Sequence, residues 1–313
     1  MFRRTGRVTW LAATVALAVL APACGPAPTA GRPLADDDTV VVASFEFSES
    51  VLLAEIYAQA IEAAGIRVER ELGLGARELV APALQAGLVE FVPEYAGSAL
   101  AFAGLGATPV TADPQATHDA LTAVMARRGV TVLDAAPAEN QNGIAVTAAT
   151  AAEYGLTTIS DLVPLAPSFT FGGSVECPQR PLCLPGLESV YGLTFERFVP
   201  LDASGPLTAA ALRSGQVDVG LMFTTDGRVE ANRLVFLADD RGLQPAENVT
   251  PVVRRSVVDH LGRPLVDAVN AVSGLLTTEE LRSLNALVAI EGRAPAMVAA
   301  TWLSARGLTR SVG

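Results

Sequence analysis

Glu49, Glu94, Asp226 and Glu247 are the carboxylates that acid–base chemistry could draw on, yet nothing in their spacing forces two of them together. A hydrolase or transferase would need such a pair, or a nucleophile with a base in reach. All 22 basic residues are Arg, and the absence of Lys removes the phosphate-loop lysine, Schiff-base chemistry and lysine general bases. His118 and His260 both fall in helix-like stretches, so imidazole bases are scarce and a multi-histidine metal site is hard to assemble. No cofactor and no metal site is expected. The residues suit capture of a small molecule better than its conversion.

Cys177 and Cys183 lie six positions apart in the Pro-rich stretch Glu176-Cys177-Pro178-Gln179-Arg180-Pro181-Leu182-Cys183. A zinc site would want two more ligands nearby, and none is evident. In an exported chain the spacing reads as a disulfide closing a small loop.

Ala83-Leu84-Gln85-Ala86-Gly87-Leu88-Val89-Glu90 is echoed by Ala211-Leu212-Arg213-Ser214-Gly215-Gln216-Val217-Asp218. Each copy reads as a helix end, a glycine stop and a strand. Eight residues beyond each glycine stands an aromatic, Tyr95 or Phe223. Small hydroxyl residues follow closely: Ser98 in the first copy, Thr224 and Thr225 in the second. Ligands of open α/β sheets sit beyond the carboxyl ends of strands. Two similar lobes facing each other would therefore share one pocket.

The elements that must hold these residues alternate β-branched runs with amphipathic helical patterns, as in an α/β protein. Strands are expected at 39–44, 67–72, 144–146, 169–171, 217–222, 234–237 and 251–253, with a strand after each echoed glycine. Helices are expected at 48–64, 77–85, 114–128, 147–154, 206–214, 264–275, 278–290 and 294–306. Ser48 is placed to cap the first of them. At 313 residues the chain has room for two lobes, and with half its residues hydrophobic and 18% charged it is not a disordered or fibrous type.

Arg3, Arg4 and Arg7 precede an apolar run over residues 8–23, shorter than the roughly 20 residues that span a bilayer. Residues 1–23 read as a signal peptide. Leu20-Ala21-Pro22-Ala23-Cys24 resembles a bacterial lipoprotein box, so Cys24 is the expected lipidation site, plain secretion being the alternative. Residues 24–37 read as a flexible tether. Removing the signal takes away three Arg and no acid, so the net charge of −11 becomes more negative. That balance argues against a nucleic-acid partner.

Four segments resemble, in order, the substrate-binding proteins of osmoprotectant ABC importers for glycine betaine, choline and related quaternary amines. Ser44-Phe45-Glu46-Phe47-Ser48-Glu49-Ser50-Val51 is similar to the family's opening strand and Phe-Thr-Glu-Gln loop. Pro93-Glu94-Tyr95-Ala96-Gly97-Ser98 resembles its Glu-Tyr-Thr-Gly-Thr segment. Thr224-Thr225-Asp226-Gly227 resembles its Ser/Thr-Thr-Asp loop, and Leu237-Ala238-Asp239-Asp240 its strand end. The resemblance implies a two-lobe type II periplasmic-binding fold, with lobe 1 at 38–141 plus 243–313 and lobe 2 at 142–242. It also implies an exported receptor on the outer face of the cytoplasmic membrane, or secreted, that delivers a small solute to permease and ATPase subunits.

Members of the family enclose the quaternary ammonium in aromatic rings. Tyr95 keeps the family's cage tyrosine, and Phe223 stands where many members have another. Phe45, in the opening segment, is a further candidate contact. Ser48, Ser50, Ser98, Thr224 and Thr225 are candidate hydroxyl contacts, with Ser50 in the family's Gln position. Asp226 could meet a cation or brace its own loop. Glu247 and Asn248 stand where many betaine binders carry tyrosine, and there Glu247 would offer charge and Asn248 hydrogen bonds. Asn140 and Asn142, at the expected first hinge, could turn their amides to the cleft. This set suits a more hydrogen-bonded solute than glycine betaine. A sensor or scaffold that kept the fold without transport is the remaining reading.

Overall fold

The β-branched runs assemble into two five-stranded sheets in a computed structural model, which describes residues 39–104 and 111–309. The expected signal peptide at 1–23, the tether at 24–37 and Cys24 lie outside the described residues. In chain order the strands are β1 (Thr39–Ala43), β2 (Arg67–Glu71), β3 (Phe91–Tyr95), β4 (Val130–Val132) and β5 (Asn142–Thr147). They continue with β6 (Thr170–Ser174), β7 (Arg197–Leu201), β8 (Val219–Phe223), β9 (Leu234–Leu237) and β10 (Val249–Arg254). One sheet has the order β2-β1-β3-β10-β4 and the other β7-β6-β8-β5-β9.

These two orders are the same design. In each, the first three strands pair in parallel, and a strand arriving from the other lobe runs antiparallel between the third and the edge. That arriving strand is β10 in lobe 1, starting with Val249 opposite Tyr95, and β5 in lobe 2, starting with Asn142 opposite Phe223. The sequence echo lies at the heart of this equivalence. Gly87 (φ 74°) and Gly215 (φ 71°) end their helices in the left-handed conformation that suits glycine. The Glu90 carboxylate then accepts the Val41 N–H at 3.1 Å, and the Asp218 carboxylate accepts the Thr170 N–H at 2.8 Å. Each acid thus ties the start of its strand to the neighbouring parallel strand, and Tyr95 and Phe223 become the last residues of β3 and β8.

Lobe 1 closes around the helix α1 (Ser48–Ala63), whose Leu52, Leu53, Ile56, Tyr57 and Ile61 are completely buried with Val40, Val42 and Phe91. The other helices before the second lobe's insertion that matter for the site are α2 (Arg77–Ala86) and α3 (Ala96–Ala103). Lobe 2 buries one apolar cluster around Ile144, Phe171 and Leu187, and another around Leu212, Val217 and Met222. The chain passes between lobes at about residues 138–142 and 243–249, where Glu139 and Asn248 form an antiparallel bridge. The Asn140 N–H donates to the Glu247 carbonyl at 3.1 Å, so the two crossings hold each other.

Candidate functional site

Between the lobes lies one cleft with about 980 Å³ of empty space, counting its open mouth. Its aromatic wall is built by three local structures. The turn from β1 into α1 brings Phe45 and Phe47, the tip of β3 brings Tyr95, and the tip of β8 brings Phe223. Phe47 is the centre of the group, with ring centroids 5.8 Å from Phe45, 6.0 Å from Tyr95 and 5.0 Å from Phe223. One face of Phe45 is already used, since the Arg77 guanidinium stands over that ring at 5.0 Å. The open π surface therefore belongs to Phe47, Tyr95 and Phe223.

The charges around this wall are unbalanced toward acid. Arg77, at the start of α2, grips Glu94 through two nitrogens at 2.8–3.2 Å. Arg180, in the loop that the Cys177–Cys183 disulfide closes, reaches across the cleft mouth to Glu78 at 2.8 Å. Both arginines of the lining are thus neutralised, while Glu46 and Glu176 also line the cleft. Such a cleft favours a cation over an anion.

The candidate residues from the sequence divide by position. Phe45, Tyr95, Ser98, Asn140, Asn142 and Phe223 line the main cleft. Ser48, Thr225 and Asp226 line a smaller hollow behind Phe47 and Phe223. Ser50, Thr224, Glu247 and Asn248 line neither. The Ser50 hydroxyl accepts the Phe45 N–H at 2.9 Å and so shapes the aromatic turn. Thr224 accepts the Gln141 N–H at 2.9 Å, joining the tip of β8 to the first crossing. The expected cap at Ser48 is corrected here. Phe47 occupies the N-cap position with no side-chain cap bond, and Ser48 is already helical.

Glu247 and Asn248 serve the second crossing. The Glu247 carboxylate accepts the Ser98 N–H at 3.0 Å and the Ser98 hydroxyl at 2.5 Å, at the first turn of α3. Burial raises the Glu247 carboxyl to about 7, against the pull of those two bonds and of Arg77. Gly97 makes this packing possible, because a Cβ there would stand 2.3 Å from Pro245 Cγ. Asn248 donates to the Ala136 carbonyl at 3.0 Å. Asp226 braces its own loop, accepting the Arg228 N–H at 2.8 Å and the Ser204 hydroxyl at 2.9 Å.

Several site residues carried no sequence signal of their own. Phe47, Arg77, Phe102, Ser174 and Arg180 all line the cleft. Glu49, named from the sequence as a carboxylate but not as a binding residue, is the most connected group: 4% exposed, its carboxylate accepts from Tyr95 Oη at 2.5 Å, Asn140 Nδ2 at 2.6 Å, Thr225 Oγ1 at 2.5 Å and Asn285 Nδ2. Burial pushes the Glu49 carboxyl up and these four bonds pull it down, with burial prevailing. The Tyr95 hydroxyl is raised well above its ordinary range by burial and by Glu49, so the phenol stays neutral and only its ring serves the cleft.

Two α/β lobes of one topology, two crossings and a shared aromatic cleft define a type II periplasmic-binding fold, the architecture of solute receptors. The chain belongs to the family described as the substrate binding domain of ABC-type glycine betaine transport system, whose profile matches residues 38–305. It is similar to the glycine betaine-binding protein YehZ of Escherichia coli (strain K12), 29% identical over 287 residues, 89% of this chain and 94% of YehZ. A glycine-betaine-binding protein of Pseudomonas aeruginosa is 29% identical over 285 residues, 86% of this chain and 88% of that protein. Among solved structures, a glycine betaine/carnitine/choline ABC transporter protein superposes with a TM-score of 0.68 at 25% identity, covering 86% of this chain and 99% of that one. The chain is therefore an extracytoplasmic solute receptor of an ABC importer, and its family is one of binding proteins, not a class of enzyme.

Proposed function

We propose that the chain captures a small quaternary amine of the glycine betaine and choline class between its lobes and presents it to the importer's permease. The observation that carries this reading is the contiguous ring set Phe47, Tyr95 and Phe223 in a cleft whose arginines are both neutralised. A quaternary ammonium has no N–H to satisfy and is attracted by π faces, so an apolar, acid-biased cleft desolvates it at least cost. Closure follows because the solute touches both lobes at once and stabilises the form in which it does so. No chemical step is assigned, and the solute leaves unchanged. Residues 1–23 direct export, and Cys24 carries a lipid that tethers the receptor to the membrane face.

Titration calorimetry with glycine betaine, choline and carnitine tests the solute class. At 100 times its Kd, a true ligand adds about 2.7 kcal/mol to stability. Scattering should report compaction with the same compound. No binding across that panel overturns the solute class. The amides of Asn140 and Asn142 and the Ser174 hydroxyl in the lining favour a second reading, a more hydrogen-bonded solute in the same cleft. Mass spectrometry of the compound that copurifies separates the two.

A further inference from the structure

The aromatic wall accounts for Tyr95 and Phe223, but not for the buried carboxylate that stands behind them. Glu49 sits in the first turn of α1, and the four groups that donate to it come from four different segments. Its Oε1 accepts Tyr95 Oη, at the tip of β3, and Asn140 Nδ2, in the first crossing. Its Oε2 accepts Asn285 Nδ2, from the lobe 1 helix Thr278–Ala289, and Thr225 Oγ1, two residues past the tip of β8. Thr225 alone comes from lobe 2.

The surroundings of Thr225 mark this as a seat between lobes. Its side chain is fully buried, and its carbonyl accepts Asn285 Nδ2 at 3.1 Å. Two residues on, Gly227 lies so close to the same helix that a Cβ would stand 3.2 Å from Ala286 Cα. The loop after β8 therefore docks directly on lobe 1, and its hydroxyl completes the donor set of Glu49.

We propose that Glu49 is the positioning residue for cleft closure, accepting Tyr95 of lobe 1 and Thr225 of lobe 2 so that Phe223 completes the aromatic wall only when the lobes meet. This rests on the reading of the chain as a solute receptor. When the lobes part, Thr225 leaves and water takes its place on Glu49. On closing, that water is expelled and the hydroxyl must replace it. A buried carboxylate short of one donor is penalised in the closed form alone, so the hydroxyl sets the population of that form. Apparent solute affinity scales with the same population.

The test compares Thr225→Val, which keeps shape but loses the hydroxyl, with Thr225→Ser, which keeps it, and with Glu49→Gln, which loses an acceptor. Calorimetry with glycine betaine and choline is read beside small-angle scattering of each solute-free protein. Thr225→Val should weaken binding roughly tenfold to a hundredfold, the range for a hydrogen bond to a charged group. Thr225→Ser should stay within about threefold, and the solute-free Thr225→Val and Glu49→Gln proteins should have larger radii of gyration than the parent. Equal affinity and equal radius in Thr225→Val, even with a lowered melting temperature, would overturn the proposal, as would Thr225→Ser behaving like Thr225→Val. Should the parent bind neither compound, the solute class fails on its own. The solute-free scattering then still decides for or against Glu49, and if Glu49→Gln does not fold, the two Thr225 variants carry the test.

Discussion

Phe47, at the entrance to α1 in lobe 1, meets Phe223, at the tip of β8 in lobe 2, edge to face with centroids 5.0 Å apart. The contact spans the cleft, so the wall is shared between lobes. Phe47 also touches the rings of Phe45 and Tyr95, which makes it the residue whose loss removes most of the π surface. Phe47→Ala is expected to weaken binding of choline or glycine betaine roughly tenfold, in line with about 1–2 kcal/mol for a desolvated cation–π contact. Phe47→Tyr, which keeps the ring, should remain within about threefold. Calorimetry on the three proteins measures this, and unchanged affinity in Phe47→Ala would remove the ring from the wall.

Arg77 and Glu94 present a different case, because both side chains are largely withdrawn from water, at 11% and 5% exposure. Removing either charge strands the other. Arg77→Ala or Glu94→Ala is expected to lower stability by about 3–5 kcal/mol, the usual consequence of breaking a buried pair. The double variant should lose less than the sum of the two. Urea denaturation of the set is the measurement, and additive losses would mean that the ions do not depend on each other.

Much of the scaffold was legible because its signals are local. Gly87 and Gly215 stop their helices and release strands that end in Tyr95 and Phe223, so two of the four rings of the wall were readable from the echo, with Phe45 added by the family-like opening segment. Helix α3 was not, since Ala96–Ala103 is apolar apart from Ser98, so it shows no amphipathic period, and it follows β3 with no turn residue between. The edge strands β4 and β7 also escaped, one being three residues long and the other carrying Pro200. The role of Glu49 was illegible for a stronger reason. Its partners lie 46, 91, 176 and 236 positions away, so no spacing could announce them. Glu247 drew notice as a candidate ligand group by its place in the family pattern, yet its carboxylate is turned to Ser98, which only the packing of the second crossing on α3 determines.

The disulfide loop and the cleft mouth are linked through Arg180, which stands between Cys177 and Cys183 and pairs with Glu78 of the other lobe. The pair is 31% and 41% exposed, so Glu78→Gln should change stability by no more than about 1 kcal/mol and affinity only slightly. Replacing both cysteines by serine frees a short loop in the unfolded chain and should cost about 2 kcal/mol. It should also release Arg180 and make the cleft mouth less sensitive to salt. Thermal melts and affinity at two ionic strengths check both parts: a serine variant as stable as the parent would show that the bridge does not restrain the unfolded chain, and an unchanged salt dependence that it is not what holds Arg180 at the mouth.

Glu247 gives the fold a pH dependence whose sign follows from its burial. Its carboxyl is raised from 4.5 to about 7 in the folded chain. Between those values the folded protein holds a proton that the unfolded chain has released, so stability falls as pH rises through this window and levels off above it. Glu247→Gln has no such proton, while its amide can still serve the Ser98 N–H and hydroxyl. The variant should therefore gain on the parent as pH is taken from 5 to 8, by an amount up to about 3 kcal/mol. Glu49, also raised by burial, is present in both proteins and cancels from the difference. Urea midpoints across this range give the comparison, and parallel curves would mean that Glu247 is charged throughout, with Arg77 outweighing its desolvation.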